Sequence, residues 1–327
     1  MFLHSLSWVR VQNILNIPFN GNKRGAKVPH DVYLHLPDRL LTRYTCLMDK
    51  KITRFAPSPT GFLHLGHAYA AFFAKNLAHS PNQFLLRIED IDHGRCHKKF
   101  ETAIFDDLSW LGLSWSKPVL KQSTRNEAYQ SALEHLKSLG LLYPCFCSRR
   151  DIATEIENAG HAPHHTPEGM IYPGTCRKLS SNISQQRIAD GDAYALRLDI
   201  RAATEHAGPL FWHDHVQGQQ RCQVDLFGDV VLARKDISNS YHLSVTVDDH
   251  FQKINLVTRG QDLFTASNVH RLLQALLGFT TPEYHHHPLI TDQDGERLAK
   301  RFSAASIRDL KNQGLNPEAV LKMAGCG

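Results

Sequence analysis

The chain has 327 residues, of which 42% are hydrophobic and 21% charged, a balance typical of a globular protein and not of a disordered one. No apolar run approaches the roughly 20 residues that a membrane-spanning helix needs, which argues against an integral membrane protein. The net charge of +5 suits a polyanionic partner, and the 7 unevenly spaced cysteines, without a secretory signal, argue against a disulfide framework.

Residues 1–47 differ from the rest of the chain because they are basic and show no helical or strand period. We expect them to form a non-homologous or disordered N-terminal extension. A transit peptide, a tail and a wrongly chosen start codon each fit this composition. Met48 is a plausible alternative start, since the segment that it opens is typical of a natural beginning.

Strand and helix patterns alternate from residue 50 onward. Short apolar runs predict strands at 52–55, 84–88, 194–198 and 229–232. Alanine-rich composition or apolar residues at helical spacing predict helices at 66–78, 100–111, 129–136 and 269–276. Strand–helix–strand order of this kind favours an α/β fold with a Rossmann-like, doubly wound parallel sheet.

The stretch 148–190 interrupts this alternation, because it is polar, rich in histidine and without clear periodicity. We interpret it as part of an insertion. The expected parts of the chain are a first half of the core at 48–147, an insertion subdomain at 148–225, a second half of the core at 226–305 and a short helical C-terminal segment at 306–327.

The most informative motif lies between the first strand and the first helix, at 57–67. Gly61 and Gly66 let the backbone approach a ligand closely, and the helix start supplies unpaired N–H groups for phosphate. His64 and His67 are three residues apart, so both imidazoles can face one side of the first turn. There they can donate hydrogen bonds to phosphate oxygens as charge builds in a transition state.

A second basic element lies far downstream, in Glu296-Arg297-Leu298-Ala299-Lys300-Arg301. By itself such a segment is typical of a solvated basic loop. Combined with the histidine motif, it predicts a mobile loop that brings Lys300 onto a triphosphate. We therefore expect a nucleoside triphosphate to be bound by His64, Gly66, His67 and Lys300. The family that these two segments resemble implies that the nucleotide is ATP and that His64, His67 and Lys300 are the catalytic residues.

The segments 54–67 and 297–301 together resemble the two hallmark motifs of the class I aminoacyl-tRNA synthetases. Segments 54–61, 87–92 and 107–113 resemble the glutamyl and glutaminyl branch of that family. The arrangement from about residue 50 to residue 327 is similar throughout to the glutamyl-Q tRNA(Asp) synthetases, which are short paralogues of the glutamyl-tRNA synthetases. One departure is Ala299, where the family often has serine, and this puts the dynamics of the lysine loop in doubt.

The resemblance implies a glutamate site. It implies that Glu89 binds the substrate ammonium group and that Tyr241 and Arg259 complete the pocket, with Arg259 clamping the side-chain carboxylate. The implied pocket also includes Arg54, Phe55, Ala56, Pro57 and Ser58. Without the family, spacing alone would make Arg259 a surface residue and Tyr241 a strand core residue. A site built on paired charge should reject glutamine.

A metal site is indicated by three thiols, those of Cys145, Cys147 and Cys176. Three ligands do not close a structural zinc site, and the fourth stays open between two sources. The resemblance implies Tyr172, whereas frequency among zinc ligands favours one of the histidines His161, His164 and His165. A third possibility is that the cysteines are reduced and bind no metal. Any zinc here would be structural, one ion per chain, holding an insertion with little core of its own.

The resemblance implies activation of L-glutamate with ATP, accompanied by Mg²⁺, and transfer of glutamate to queuosine in the anticodon of tRNA(Asp). Few residues follow Lys300, so we expect no anticodon-binding domain. Two alternatives stay open: a truncated glutamyl-tRNA synthetase that charges the tRNA 3′ end, and a non-catalytic synthetase-like regulator. We further expect a cytoplasmic monomer with no membrane partner.

Overall fold

The computed structural model describes residues 50–159, 165–166, 169–236, 239–289 and 305–326. For residues 155–159, 165–166 and 169–170 it describes the backbone alone. The predicted extension at 1–47 lies outside these residues. Within the described part of the chain, no helix combines the length and apolarity needed to cross a lipid bilayer.

The first half of the core is a three-stranded parallel sheet with helices between its strands. In chain order it comprises β1 (Thr53–Phe55), α1 (Leu65–Leu77), β2 (Phe84–Ile88), α2 (Lys98–Trp110) and β3 (Ser116–Lys121). The strand order is β1-β2-β3, and both pairings are parallel. The strand β2 and the helix α1 were both predicted from the sequence, and the structure buries the apolar run of β2 and the alanines of α1 in one cluster.

The next elements leave this sheet. They are α3 (Asn126–Ser138), β4 (Leu142–Cys145), α4 (Arg149–Ala159), β5 (His165–Thr166) and β6 (Gly169–Met170). The apolar stripe of α3 packs in the largest buried cluster of the core. The polar stretch at 148–190 showed no clear periodicity in the sequence, yet its beginning is helical, since α4 lies there.

The chain then returns toward the sheet through α5 (Ser181–Ala189), β7 (Ala195–Leu198), α6 (Ile200–Ala207), β8 (Phe211–Asp214) and β9 (Gly218–Arg221). β7 pairs antiparallel with β4 along its whole length, and β8 and β9 form an antiparallel hairpin.

The second half of the core contains β10 (Val231–Ala233), α7 (Tyr241–Phe251), β11 (Leu256–Gly260), α8 (Ala266–Leu276) and β12 (Glu283–His287). β10 adds to β7, whereas β11, β12 and β8 form a parallel group in that order. Since β8 belongs to this sheet, the strand pairings do not follow the predicted insertion boundary at residue 225.

The two parallel groups meet where β1 and β11 lie side by side. The carbonyl of Ile52, just before β1, accepts hydrogen bonds from the amides of Asn255 and Leu256, each at 3.3 Å. The resulting strand order is β3-β2-β1-β11-β12-β8. From β1 the chain adds β2 and β3 toward one edge, and from β11 it adds β12 toward the other edge, as in a doubly wound sheet. The predicted Rossmann-like fold class is confirmed at this level.

The described chain ends in α9 (Ile307–Asn312) and α10 (Pro317–Met323). Ile307 and Val320 are fully buried in the cluster that also contains the alanines of α1. The amide of Ile307 donates to the carbonyl of Leu63 at 2.7 Å, next to the start of α1. The C-terminal helices therefore support the helix that carries the histidine motif.

Candidate active site and metal centre

A cavity of about 420 Å³ opens at the carboxyl ends of β1 and β11, beside the first turn of α1. Ligands of open α/β sheets bind at this edge, where the strand order reverses. The predicted residues that line the cavity are Arg54, Phe55, Ala56, His64, Gly66, His67, Glu89, Tyr241 and Arg259. Residues far apart in the sequence are thus brought to one site.

Three predicted residues lie elsewhere. The carbonyl of Pro57 accepts a hydrogen bond from the amide of Glu89 at 3.0 Å, which ties the motif loop to the end of β2. Ser58 lines an adjoining cavity of about 360 Å³ that shares Glu89 and Tyr241 with the first. Lys300, with the rest of the predicted lysine loop, lies outside the described residues.

His64 and His67 cap the start of α1 reciprocally. Nδ1 of His64 accepts a hydrogen bond from the amide of Gly66 at 3.1 Å, and Nδ1 of His67 accepts one from the amide of His64 at 3.2 Å. Both Nδ1 atoms therefore present lone pairs. In a neutral imidazole the hydrogen must then be on Nε2, so each ring keeps one donor for a ligand.

Burial keeps both rings neutral. It lowers the pKa of His64, and it lowers the pKa of His67 to about 3, with the neighbouring ring of His64 as a second cause. The two ring centroids are only 3.8 Å apart, a separation at which two imidazolium ions would repel strongly. The site thus offers two neutral N–H donors at a helix N-terminus, where phosphate oxygens bind well.

Gly66 is required here by close approach. A Cβ at this position would lie 3.0 Å from Cε1 and 3.2 Å from Nδ1 of His64. An alanine here would therefore require the capping ring to shift by a few tenths of an ångström.

A group of buried charges adjoins the cavity through Arg54, which belongs to the cavity lining. Asp249 accepts hydrogen bonds from Nε and Nη2 of Arg54 at 2.9 and 3.2 Å, and from Nη1 of Arg87 at 2.8 Å. Nη1 of Arg54 donates to the carbonyl of Thr258 at 3.0 Å, so this guanidinium is occupied by protein acceptors. Burial opposes ionisation of Asp249, but the two guanidinium groups lower its pKa overall. Arg54 therefore shapes and charges the pocket from within its wall.

Glu89 follows β2 directly and is nearly buried. Burial raises the pKa of its carboxyl group, although Arg87 and Arg54 act in the opposite direction. Its Oε1 lies 3.2 Å from Nη2 of Arg87. A desolvated carboxylate with one ion-pair partner can still accept hydrogen bonds from an ammonium group, as the predicted role requires.

Arg259 has a different environment. Its guanidinium donates to Nε2 of His286 at 3.2 Å, to Nδ1 of His270 at 3.0 Å and to Oγ of Ser267. The residue is 7% exposed, and among the described residues no carboxylate pairs with it. A buried cation whose protein partners are all neutral is suited to an anionic ligand.

Tyr241 is the first residue of α7, so its assignment to a strand from spacing alone is wrong. Ser240 caps this helix, which directs Tyr241 into the cavity wall beside Arg259. Burial raises the pKa of the Tyr241 hydroxyl, which also forms a hydrogen bond with Arg259. The short run before α7 offered no periodicity from which a helix start could be predicted.

The three predicted metal-ligating thiols converge. Cys145 ends β4, Cys147 lies two residues on, and Cys176 lies in a short 3-10 turn. Their Sγ atoms lie within 4.8 Å of one another, with Cys147 and Cys176 at 3.4 Å. Tetrahedral zinc holds its sulfur ligands about 3.8 Å apart, so the arrangement fits this ion.

The hydroxyl of Tyr172 lies in the same cluster. It is 3.6 Å from Sγ of Cys147 and accepts a hydrogen bond from the amide of Cys176 at 2.7 Å. His161 and His164 lie outside the described residues, as does the side chain of His165. Two sources were predicted for the fourth ligand. Among the described residues, the candidate that lies next to the thiols is the Tyr172 oxygen.

Comparison with known proteins decides the family. Residues 50–325 match the model described as tRNA synthetases class I (E and Q), catalytic domain. The chain belongs to the glutamyl and glutaminyl class I aminoacyl-tRNA synthetases. The resemblance found in the motifs is thereby confirmed, and with it an enzyme of the aminoacyl-tRNA ligase type.

Named relatives of this synthetase fall into two groups. A glutamyl-Q tRNA(Asp) synthetase from Rhodobacter capsulatus is 45% identical over 84% of this chain and 99% of that protein. One from Nocardia farcinica is 42% identical over 83% of this chain and 82% of its own length. A glutamate–tRNA ligase from Hydrogenobaculum sp. is 37% identical over 82% of this chain, which spans 56% of that protein.

A solved structure agrees with the fold. The glutamate–tRNA ligase of Elizabethkingia meningosepticum, in complex with its amino acid, matches with a TM-score of 0.63 at 26% identity. The match covers 81% of this synthetase and 53% of that chain.

Several groups around the site were not predicted. Asp249, Ser267, His270 and His286 all bond to an arginine of the pocket. The sequence contained one indirect signal, for Asp249. Its partner Arg87 is a charged residue inside the apolar run of β2, and a buried charge needs a buried partner. The histidines lie on strands and helices whose pairing the sequence did not specify.

Proposed function

We propose that this protein activates L-glutamate with ATP and transfers the glutamyl group to queuosine in the anticodon of tRNA(Asp). The single observation that carries the amino-acid part is Arg259, a buried guanidinium that faces the cavity and has only neutral partners among the residues that the structure describes. A glutamate side chain would supply the missing carboxylate. Glutamine would leave that charge unmatched, which costs enough to exclude it.

In this proposal each end of glutamate has its own partner. Glu89 accepts hydrogen bonds from the ammonium group, and Arg259 with Tyr241 clamps the side-chain carboxylate. Arg54, Phe55, Ala56, Pro57 and Ser58 form the pocket wall and its connection to β2. The α-carboxylate is then left free to point toward α1.

The first chemical step joins the α-carboxylate to the α-phosphorus of ATP. A carboxylate oxygen attacks the phosphorus, the bond to the bridging oxygen breaks, and pyrophosphate leaves with that electron pair, giving glutamyl-adenylate. His64 and His67 donate Nε2–H bonds to the phosphate oxygens as negative charge builds on them. Lys300 joins them from its loop, and Mg²⁺ accompanies the nucleotide.

The second step transfers glutamate to a hydroxyl group. A hydroxyl oxygen of the acceptor attacks the carbonyl carbon of the adenylate, and the bond from that carbon to the phosphate oxygen breaks. AMP leaves with the electron pair and takes up the hydroxyl proton, and an ester forms. Support for queuosine as the acceptor comes from the 45% identity with a glutamyl-Q tRNA(Asp) synthetase, compared with 37% for a glutamate–tRNA ligase. The alternative acceptor is the 3′-terminal adenosine, as in the ligases.

We also propose one structural zinc ion per chain, held by Cys145, Cys147, Cys176 and Tyr172. When bound, the ion would tie β4 to the turn that carries Cys176. It would stabilise the insertion and take no part in the two chemical steps.

The test uses full-length protein, ATP and labelled glutamate. We expect pyrophosphate exchange that needs glutamate but no tRNA, and transfer to tRNA(Asp) that carries queuosine. Removing the 3′-terminal adenosine should leave this transfer intact, whereas the same tRNA without queuosine should accept nothing.

Two outcomes separate the alternatives. Transfer that ignores queuosine and is lost with the 3′-terminal adenosine identifies a charging enzyme and overturns the acceptor. Absence of any glutamate-dependent exchange overturns the enzymatic function and favours a non-catalytic regulator.

A further inference from the structure

Arg259 is held by a row of hydrogen bonds that crosses three neighbouring strands. Arg259 on β11 lies opposite His286 on β12 in the strand register, and Asp214 ends the next strand, β8. Nε of Arg259 donates to Nε2 of His286, and Nδ1 of His286 lies 2.7 Å from Oδ2 of Asp214. All three side chains are buried.

The direction of these bonds fixes the state of His286. A guanidinium can only donate, so Nε2 of His286 must present a lone pair to it. The hydrogen of the neutral ring is then on Nδ1, where the carboxylate of Asp214 accepts it. Burial lowers the pKa of His286 to about 4, and Arg259 is the next cause, so the ring is neutral near pH 7.

Asp214 is itself firmly held. One of its carboxylate oxygens accepts hydrogen bonds from the amides of Val216 and Gln217, both at 2.9 Å. The other accepts from the amide and from the ring of His286. The carboxylate therefore faces His286 rigidly and does not contact Arg259, which remains without a directly paired anion among the described residues.

We propose that Asp214 and His286 are positioning residues that orient the Arg259 guanidinium toward the amino-acid substrate while leaving its charge available to the substrate carboxylate. This inference rests on the glutamate specificity proposed above. A direct Asp–Arg pair would neutralise the clamp, whereas a neutral imidazole between them orients it and spares its charge. The pair thereby serves selection of glutamate over glutamine.

Two substitutions of His286 separate its two bonds. His286→Gln places an amide oxygen where Nε2 accepts from Arg259 and gives up the bond to Asp214. His286→Asn places an amide group where Nδ1 reaches Asp214 and gives up the bond to Arg259. We expect the KM for glutamate in pyrophosphate exchange to rise about tenfold or more in His286→Asn and about threefold or less in His286→Gln.

Asp214→Asn tests whether the carboxylate acts through the histidine. Alone it should raise the KM for glutamate, because an amide in place of the carboxylate no longer selects the hydrogen on Nδ1. Combined with His286→Gln it should add nothing further, since the connection is already broken. The KM for ATP should stay unchanged in every variant. His285→Asn is the control, because His285 packs against Phe73 and His215 and not against Arg259.

Each result decides between the possibilities. Equal KM values for glutamate in the two His286 variants, or a loss confined to kcat and thermal stability, would show a merely structural role and overturn the inference. If wild-type protein exchanges normally and the variants do too, only this inference fails. If wild-type protein shows no glutamate-dependent exchange, the proposed function is wrong at its first step, and this inference, which rests on it, is wrong too.

Discussion

The amide of His64 donates to Nδ1 of His67 across 3.2 Å, so one residue of the motif fixes the tautomer of the other. His64 also caps the helix, because its Nδ1 accepts a hydrogen bond from the amide of Gly66, and its Nε2 is the nitrogen that can bond to a ligand. A substitution can therefore separate helix capping from catalysis.

His64→Asn should keep the cap and lose the catalytic donor. Asparagine is a favoured N-cap residue, so the free energy of unfolding should change little, whereas His64→Ala should lose about 1 kcal/mol. Both variants lack Nε2–H, and we expect kcat for pyrophosphate exchange to fall about 10²–10³-fold in each. Denaturant unfolding and exchange assays on the two proteins check this. Normal activity in His64→Asn would remove His64 from the catalytic residues.

Gly66→Ala should lower activity while changing stability little, because the gain in helix propensity and the disturbance of the His64 cap act in opposite directions. Alanine favours a helix over glycine by about 1 kcal/mol, but its Cβ would meet the His64 ring at 3.0 Å. We expect an unfolding midpoint close to that of wild type, together with a clear loss of kcat. Unchanged kcat would mean that the ring moves aside at no cost to catalysis.

Tyr172→Phe tests the fourth zinc ligand. Wild-type protein should contain one zinc ion per chain by metal analysis. The chelator concentration that removes zinc from the variant should be at least about tenfold lower than the concentration needed for wild type. His161→Ala is the matched comparison and should retain zinc as wild type does. The reverse result would assign the fourth ligand to histidine, and a wild-type protein without zinc would reject the metal site.

Stability should fall as the solution is acidified through the range in which histidine titrates. Burial, followed by Arg259, lowers the pKa of His242 and of His286 to about 4, so the folded protein binds fewer protons than the unfolded chain below pH about 6.5. Each such histidine removes at most about 1.4 kcal/mol of stability per pH unit between these values. Asp214 faces His286 and reduces the effect without reversing it.

Unfolding free energies measured between pH values of about 7.5 and 5 check this dependence. His286→Gln removes one of the titrating groups and should flatten the curve. Parallel curves for wild type and variant would show that His286 does not contribute.

The parts of the fold that sequence patterns predicted are those whose signal is local. The apolar run of β2 was predicted with its observed limits, and the helices around Ala68 and Leu272 were correctly placed. The pairing of β8 with β12 was not predictable, because the composition of each segment does not indicate which other strand it pairs with. The same holds for the site. His64, His67 and Glu89 stand in motifs, whereas His286 matters only through a neighbour on another strand.

The side-by-side position of β1 and β11 has a consequence for synthesis of the protein. A nascent chain that has not yet reached β11 can form the histidine cap of α1 but lacks Arg259, and so has an incomplete pocket. Glutamate can therefore stabilise only a chain whose second half has folded against the first. Protection by the substrate, for example against proteolysis during refolding, would report completion of the whole core and not of either half.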